Sequence, residues 1–473
     1  MKIGAWYQSD QTCTFTVWAP KHKQLYLKTC PPVEKLHPMR PLGDGYWQLN
    51  IPIKPQTDYS YHSPKMGDQP DPASFQQPHG VHGPSRVIDH NSFVWDDGAW
   101  KGIPIREMII YELHVGCFHL SQKFNGIIER LDDLKELGVN TIELMPIAQF
   151  PGTRNWGYDG VNLFAVQNSY GHPDDLKDLI NICHKKGFAV ILDVVYNHLG
   201  PEGNSLHLYG PYFTNKKRTP WGRAINFDDK FHEQVRHYFF ENARYWLDTF
   251  HFDGLRLDAV QAIFDSTDEP FLAQLADTVD QLSETNSKVY ALIAESDMND
   301  RTIVEQRESR GLGLHASWSD DFHHALHALL TGERNGYYQD FGGWKEVAQV
   351  YRDPHVLNGC YSTFRKNTHG TPADDLDVAK FIVYLQNHDQ VGNRILGERL
   401  SSILSFEELK LAAGCLLLSP YTPMLFMGEE YGENNPFLYF TDHADQYVIE
   451  GVRRGRRRDA KAFQWKGTPP DPQ

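Results

Sequence analysis

No cysteine in the chain belongs to a CxxC pair; the six are scattered at positions 13, 30, 117, 183, 360 and 415. That spacing offers neither a disulfide framework nor a zinc site, and it fits reduced thiols in a cytoplasm. Long apolar runs are missing as well: no stretch approaches the roughly 20 apolar residues needed to span a bilayer. The opening residues, MKIGAWYQSD, carry no apolar h-region, so a Sec-type signal peptide is not expected. Positive charge is in deficit, with 46 Lys and Arg against 61 Asp and Glu and a net charge of −15. Such an acidic chain is a poor partner for nucleic-acid phosphates or an anionic membrane face. No GxGxxG or GxxxxGK[ST] follows a strand-like run, so a nucleotide site has no support.

What is present is ample core material. The chain has 473 residues, 40% hydrophobic and only 23% charged, which excludes a disordered chain and allows a large core. Aromatics reach 13%, with 11 Trp and 23 Tyr; such side chains suit many partners, sugars among them. Residues 1–95 read as a small β-sandwich and the start of a linker. Short aromatic and β-branched runs at 14–18, 24–29, 46–51 and 58–62 are separated by Pro/Gly/Asp turns. A Pro/Gly/His-rich passage at 63–104 reads as a linker over the surface.

From residue 96 to 473 the texture is that of an α/β unit. Strand-like runs MIIYELHV (108–115), TIELMPI (141–147), AVILDVVY (189–196) and GLRLDAV (254–260) are followed by VYALIAES (289–296), HASWSD (315–320), FIVYLQNHD (381–389) and TPMLFMGEE (422–430). Helical patterns lie between them at 127–138, 173–187, 232–250, 270–282, from about 299, at 321–332 and at 406–419. Eight apolar strands alternating with helices predict a (β/α)8 TIM barrel with loop insertions, the open doubly wound sheet being the alternative. About 40 residues follow the eighth strand, including the basic run Arg453, Arg454, Arg456, Arg457 and Arg458, which reads as a solvated helix face.

In such barrels the reacting groups sit at the C-terminal ends of strands. Those ends carry DVVYNH (193–198), RLDAVQ (256–261), AESD (294–297), SWSDDFHH (317–324) and LQNHDQVGN (385–393), and with them Asp193, Asp258, Glu295, Asp320, Asp321 and Asp389. A single carboxylate there is commonly a helix cap. A whole rim of them, each costly to bury unpaired, points to acid/base or nucleophilic work such as glycoside hydrolysis. A metal-dependent hydrolase is the competing chemistry: His198, His388, His323 and His324 are candidate ligands, and His323 and His327 have i, i+4 spacing, but no HExxH accompanies them.

DVVYNH, GLRLDAVQ, the Glu of ALIAESD and YLQNHD, in that order, resemble the four signature regions of the α-amylase superfamily of glycoside hydrolases. Within it the chain most resembles the trehalohydrolases, through FTVWAP (15–20), YELHVGCF (111–118), NWGYDGVN (155–162), SWSDDFHHALH (317–327), QNHDQVGNR (386–394) and YFTDH (439–443). The resemblance implies Asp258 as nucleophile, Glu295 as general acid and then base, and Asp389 as transition-state stabiliser. Arg256, on the same strand face as Asp258, would favour its ionised form. His198 and His388 would bond sugar hydroxyls, and Tyr158 would stack on the ring, with Trp156 and Asp159 nearby. Asp320, Asp321, His323 and His324 would shape the product side, extended by Gln390 and Asn393. Gln261 stands where the family often has His. The implied substrate is maltooligosyl trehalose, cleaved with retention at the α-1,4 bond next to the trehalose unit, in trehalose biosynthesis. The Asp258 and Glu295 carboxyls should then lie roughly 5–5.5 Å apart.

The resemblance requires no cofactor. Asn197 matches a calcium-ligand position in many amylases, yet trehalohydrolases do not require calcium, so no metal is expected. The family usually continues into a C-terminal β-sandwich, whereas this sequence stops at Gln473. Two rivals stand beside this reading: a glycogen branching enzyme, which shares the sandwich and all three carboxylates, and a non-catalytic glucan-binding protein. SDDFHHALH favours the hydrolase over the first, and the retained carboxylates argue against the second. Oligomeric state is not legible.

Overall fold

A computed structural model describes residues 1–473. Two antiparallel sheets come first. One runs in the order Gly4–Tyr7, Thr12–Trp18, Tyr46–Pro52, Arg40–Gly43; the other in the order Lys35–Pro38, Tyr26–Thr29, Asp58–Ser63, Gly67–Gln69. Their inner faces meet where Phe15 of the first packs edge-on against Tyr59 of the second, centroids 4.9 Å apart. The passage at 63–104 is not the surface linker its composition suggests, because residues 71–77 are buried. Asp71 anchors it by accepting from the hydroxyls of Tyr59 (2.8 Å) and Tyr61 (3.2 Å), and Phe75 stacks on Tyr245 of the following unit at 4.7 Å.

The larger unit is a closed ring of eight strands: β1 (Ile110–Leu113), β2 (Thr141–Leu144), β3 (Ala189–Val194), β4 (Gly254–Leu257), β5 (Ala291–Ala294), β6 (Ala316–Trp318), β7 (Phe381–Tyr384) and β8 (Thr422–Phe426). All neighbours are parallel, and β8 closes the ring by pairing with β1, Met424 opposite Ile110. This is the expected (β/α)8 barrel, with every strand present in the predicted order. The helix over Pro173–Lys186 begins at its proline and ends at Gly187, whose φ of 85° is the left-handed conformation glycine tolerates.

Two helical expectations differ. The pattern at 127–138 is divided into Phe124–Ile128 and Leu131–Leu137. No α-helix starts near 299; Arg301–Ile303 and Arg307–Ser309 are single 3₁₀ turns, the Asp300 side chain accepting from the Thr302 N–H. Gly311 and Gly313 lie in the same connection; Gly311 passes so close to Glu305 that a Cβ would stand 2.1 Å from its carbonyl oxygen, and Gly313 has φ +76°.

The barrel lumen is divided by chemistry. Ile110, Ile191, Ala291, Ile293, Ala316, Trp318, Ile382, Tyr384 and Met424 form its apolar filling. Inward positions nearer the C-terminal rim of β1–β4 carry Glu112, Glu143, Asp193 and Arg256 instead, all buried. Charges so placed need partners, and the partners of Glu112, Asp193 and Arg256 build the site.

Candidate active site

Gly254 lets β4 lie close against β5, since a Cβ there would stand 2.6 Å from the Ala291 carbonyl oxygen. Two residues on, Arg256 is fully buried, its guanidinium 4.2 Å over the Trp318 ring. Its Nη1 donates to Asp193 Oδ2 at 2.7 Å and to Asp258 Oδ1 at 3.3 Å, while Nη2 lies 3.5 Å from Glu295 Oε2. One guanidinium thus joins the ends of β3, β4 and β5. Asn197 Nδ2 donates to Asp258 Oδ2 at 2.7 Å and to the Asp258 carbonyl at 2.6 Å, and its Oδ1 bonds His198 Nδ1. Both amide atoms of Asn197 are therefore engaged beside Asp258. Glu295 Oε2 accepts the Ala259 N–H at 2.5 Å.

The environments of these groups differ. Burial, reinforced by Asp258, Asp389 and Asp320 against the opposing pull of Arg256, lifts the Glu295 pKa to about 8. Glu295 accordingly holds a proton at neutral pH, while Asp258 accepts hydrogen bonds from Asn197 and Arg256. Burial also lifts Asp193 to about 6, with Arg256 acting against it.

A hydrogen-bonded chain reaches this cluster from β1. Burial works against charge on His388, but Glu112 and Asp389 outweigh it and raise its pKa to about 9. His388 Nδ1 donates to Glu112 Oε1 at 2.5 Å, and its Nε2 donates to the Tyr158 hydroxyl at 2.7 Å. That hydroxyl donates to Asp193 Oδ2 at 2.7 Å. Tyr158 also stacks on the His388 ring, centroids 5.2 Å apart. Trp156 is buried and supports both from behind, stacked on Phe437 at 5.4 Å and edge-on to His388 at 5.3 Å. Asp159 accepts from Asn155 at 2.7 Å and lies 3.4 Å from His443. His198 Nε2 lies 3.0 Å from the Tyr158 carbonyl oxygen and its ring stacks on Trp221 at 4.9 Å. Asp389 opens the helix His388–Gly392 with its side chain 45% exposed.

The remaining sequence candidates divide into two sets. Asp320 accepts from Tyr384 and, at 3.1 Å, from Gln390 Nε2, whose Oε1 accepts from the Tyr337 hydroxyl at 2.9 Å. Gln261 is exposed, in a turn just beyond Asp258. Asn393 Nδ2 donates to Asp389 Oδ1 at 3.0 Å. Asp321 and His323, expected on the product side, lie inside the fold. Asp321 Oδ2 accepts from Asn299 Nδ2 (2.8 Å) and the Leu357 N–H (2.9 Å), tying down the loop after β6. His323 is engaged at both nitrogens, by the Leu385 carbonyl at 2.5 Å and the Tyr338 hydroxyl at 2.7 Å. His324 is buried beneath Tyr337, centroids 4.2 Å apart. These side chains are enclosed because the first turns of helix Asp320–Thr331 are buried on all sides, residues 321–328 without exception.

Sequence reasoning passed over Glu112, Glu143, Tyr337 and Arg456. The signal for the first two was a carboxylate inside an apolar strand run, YELHV and TIELM, at the same inward register. Glu143 has no partner for either oxygen, and burial beside Glu112 holds its pKa far above the carboxylate range. Arg456 hid in the basic run. Arg454, Arg457 and Arg458 are exposed as expected of a solvated face, but Arg456 turns inward and donates to Asn393 Oδ1 at 2.6 Å.

The alpha amylase catalytic-domain family matches residues 96–217 and 229–469. Over 455 residues the chain is 49% identical to the malto-oligosyltrehalose trehalohydrolase of Saccharolobus solfataricus, covering 96% of this chain and 80% of that one. It is 42% identical to the Arthrobacter ramosus enzyme of the same name, over 97% of this chain and 80% of the relative. A Salmonella typhimurium crystal structure assigned to the alpha amylases superposes with a TM-score of 0.92 at 38% identity, over 99% of this chain and 80% of that chain. With its eight-stranded barrel, its rim of carboxylates and these relatives, the chain belongs to the alpha-amylase family, alongside the malto-oligosyltrehalose trehalohydrolases.

Proposed function

We propose that the protein is a retaining glycoside hydrolase that cleaves the α-1,4-glucosidic bond next to the terminal trehalose unit of maltooligosyl trehalose, releasing trehalose. The observation that carries the chemistry is the Arg256 guanidinium shared between Asp258 and Glu295, one carboxyl supplied with donors and the other held protonated. The relatives' printed names carry the substrate.

In this reading the Glu295 carboxyl gives its proton to the glycosidic oxygen as Asp258 attacks the anomeric carbon. Trehalose leaves with that proton, and the maltooligosyl chain stays on Asp258 as a glycosyl ester. Glu295, now a carboxylate, takes a proton from water, whose oxygen attacks the anomeric carbon opposite Asp258, on the face trehalose left, and expels the Asp258 carboxylate, so the configuration is retained. Asp389 stabilises the oxocarbenium-like transition state through the sugar hydroxyls. His388, charged at neutral pH, and His198 line the position of the ring being cleaved, and Tyr158 provides its stacking face. Asp320, Gln390 and Gln261 belong to the product side. The reading divides the chain at residues 1–95 and 96–473 and places the enzyme in the cytoplasm; no helix is long and apolar enough to cross a membrane.

The test is product analysis of maltopentaosyl trehalose and maltohexaose side by side. Free trehalose from the first, with little cleavage of the second, is the expected result. Equal cleavage of both, or transfer giving α-1,6 branches, overturns it.

A further inference from the structure

The basic run near the end of the chain has one member that reaches the cleft. Helix Gln446–Ala462 starts at Asp445, whose carboxylate accepts from the Tyr447 N–H at 2.8 Å. Arg453 pairs with Asp471 at 2.6 Å on its outer side. Arg456, three residues on, faces the barrel: Nη1 donates to Asn393 Oδ1 at 2.6 Å, Nη2 to the Gly392 carbonyl at 3.0 Å, and the guanidinium lies 4.9 Å over the Tyr439 ring. Two fork contacts and a stacking face fix its plane.

This matters for Asp389. An Asn amide presents oxygen on one side and nitrogen on the other, and nothing intrinsic decides which faces where. A guanidinium has donors only, so Arg456 can donate only to the oxygen of Asn393. The amide nitrogen is thereby forced toward Asp389, where it donates to Oδ1 at 3.0 Å. No other side-chain hydrogen bond holds Asp389, and His388 Nε2 stands off at 3.8 Å. With Arg456 removed, the amide loses the anchor on its oxygen and is free to swing away, so the one hydrogen bond that orients the carboxylate loosens. We infer that Arg456 is a positioning residue for the reaction: through Asn393 it sets the carboxylate plane of Asp389 from outside the barrel. The inference rests on the reading of Asp389 given above.

Lysine is a poor replacement, because a single ammonium has no planar fork to span Asn393 Oδ1 and the Gly392 carbonyl. The test measures kcat, KM and thermal unfolding for Arg456→Met, Arg456→Lys, Asn393→Ala and the double variants, with Arg453→Ala as the control. Arg456→Met should lower kcat about tenfold or more with KM within a few-fold, the pattern of an interaction made in the transition state. Arg456→Lys should be intermediate, and Arg453→Ala unchanged. The decisive comparison is the double-mutant cycle. Once Asn393→Ala has cut the link, Arg456→Met should add less than about threefold. Costs that multiply in full, or a folded Arg456→Met variant with wild-type kcat, overturn the inference. If Arg456→Met does not fold, the same cycle is read with Arg456→Lys. A wild type that releases no trehalose sinks the proposed function instead, and the cycle is then read on whichever α-1,4-glucan the wild type cleaves.

Discussion

Replacing Glu295 by Gln tests the proposed chemistry at its most exposed point. The carboxyl pKa is raised from 4.5 to about 8. At pH 7 a carboxyl of pKa 4.5 is protonated only ~0.3% of the time, whereas one of pKa 8 is protonated ~90% of the time. The site thus raises the population of competent acid ~300-fold over an exposed glutamate. Gln has the same shape and its oxygen can still accept the Ala259 N–H, so the fold and substrate affinity should survive. It has no proton to give, and kcat should fall by roughly 10²–10⁴ or more. Wild-type kcat/KM should hold through neutral pH and fall tenfold per pH step above about 8, as the acid is lost. The assay is trehalose release from maltopentaosyl trehalose between pH 5 and 10, alongside a maltosyl fluoride whose leaving group needs little protonation. That second substrate should recover much of the first step in the variant. Near-normal turnover of Glu295→Gln on the natural substrate, or an alkaline limb identical in variant and wild type, would refute the assignment.

Asp193 holds Arg256 and Tyr158 as a carboxylate and has a pKa of about 6, so kcat/KM should also decline as pH falls through 6, and an acid limb first seen below pH 4 would contradict this. Gly157 has φ +111°, and a Cβ there would stand 2.2 Å from the Pro146 carbonyl oxygen; Gly157→Ala should destabilise by about 2 kcal/mol or more and displace Tyr158, to be checked by thermal unfolding and kcat/KM, an unchanged Tm being the adverse outcome. His184 is buried between Asp97 (2.8 Å) and Asp253 (2.9 Å), and His184→Ala should cost about 3–5 kcal/mol in urea unfolding. Although burial opposes it, these two carboxylates raise the His184 pKa above 6.5, so the pair's contribution is complete below pH 6.5 and fades as pH rises through the raised value; a wild-type-minus-variant difference that grows with pH would oppose this sign. For selectivity, Asp320→Asn should narrow the preference for maltooligosyl trehalose over the matching maltooligosaccharide, while Asp321→Asn should cost stability and leave the kcat/KM ratio intact; the reverse pattern would move Asp321 back into the cleft.

The eight barrel strands and their order were legible in the sequence, because strands buried on both faces must be apolar runs and their ends must be marked by polar residues. The same rule marked six strand-end carboxylates, Asp193, Asp258, Glu295, Asp320, Asp321 and Asp389, and only the family resemblance implied distinct roles for Asp258, Glu295 and Asp389 among them. Residues 1–95 were legible as strands through turn spacing, but the buried path of residues 71–77 was not, because Pro/Gly-rich composition specifies bends and not burial. Asp321 and His323 share a motif with Asp320, yet one helical turn sends them into the core and leaves Asp320 at the rim; neighbours in sequence diverge by about 100° per residue on a helix. What only the tertiary structure decided is which distant groups meet. Glu112 lies 276 positions from His388, and Arg456 lies 63 from Asn393. No local pattern encodes those contacts, because they arise from barrel closure and from the last helix folding back, and the pKa values of Glu295 and His388 are consequences of that convergence.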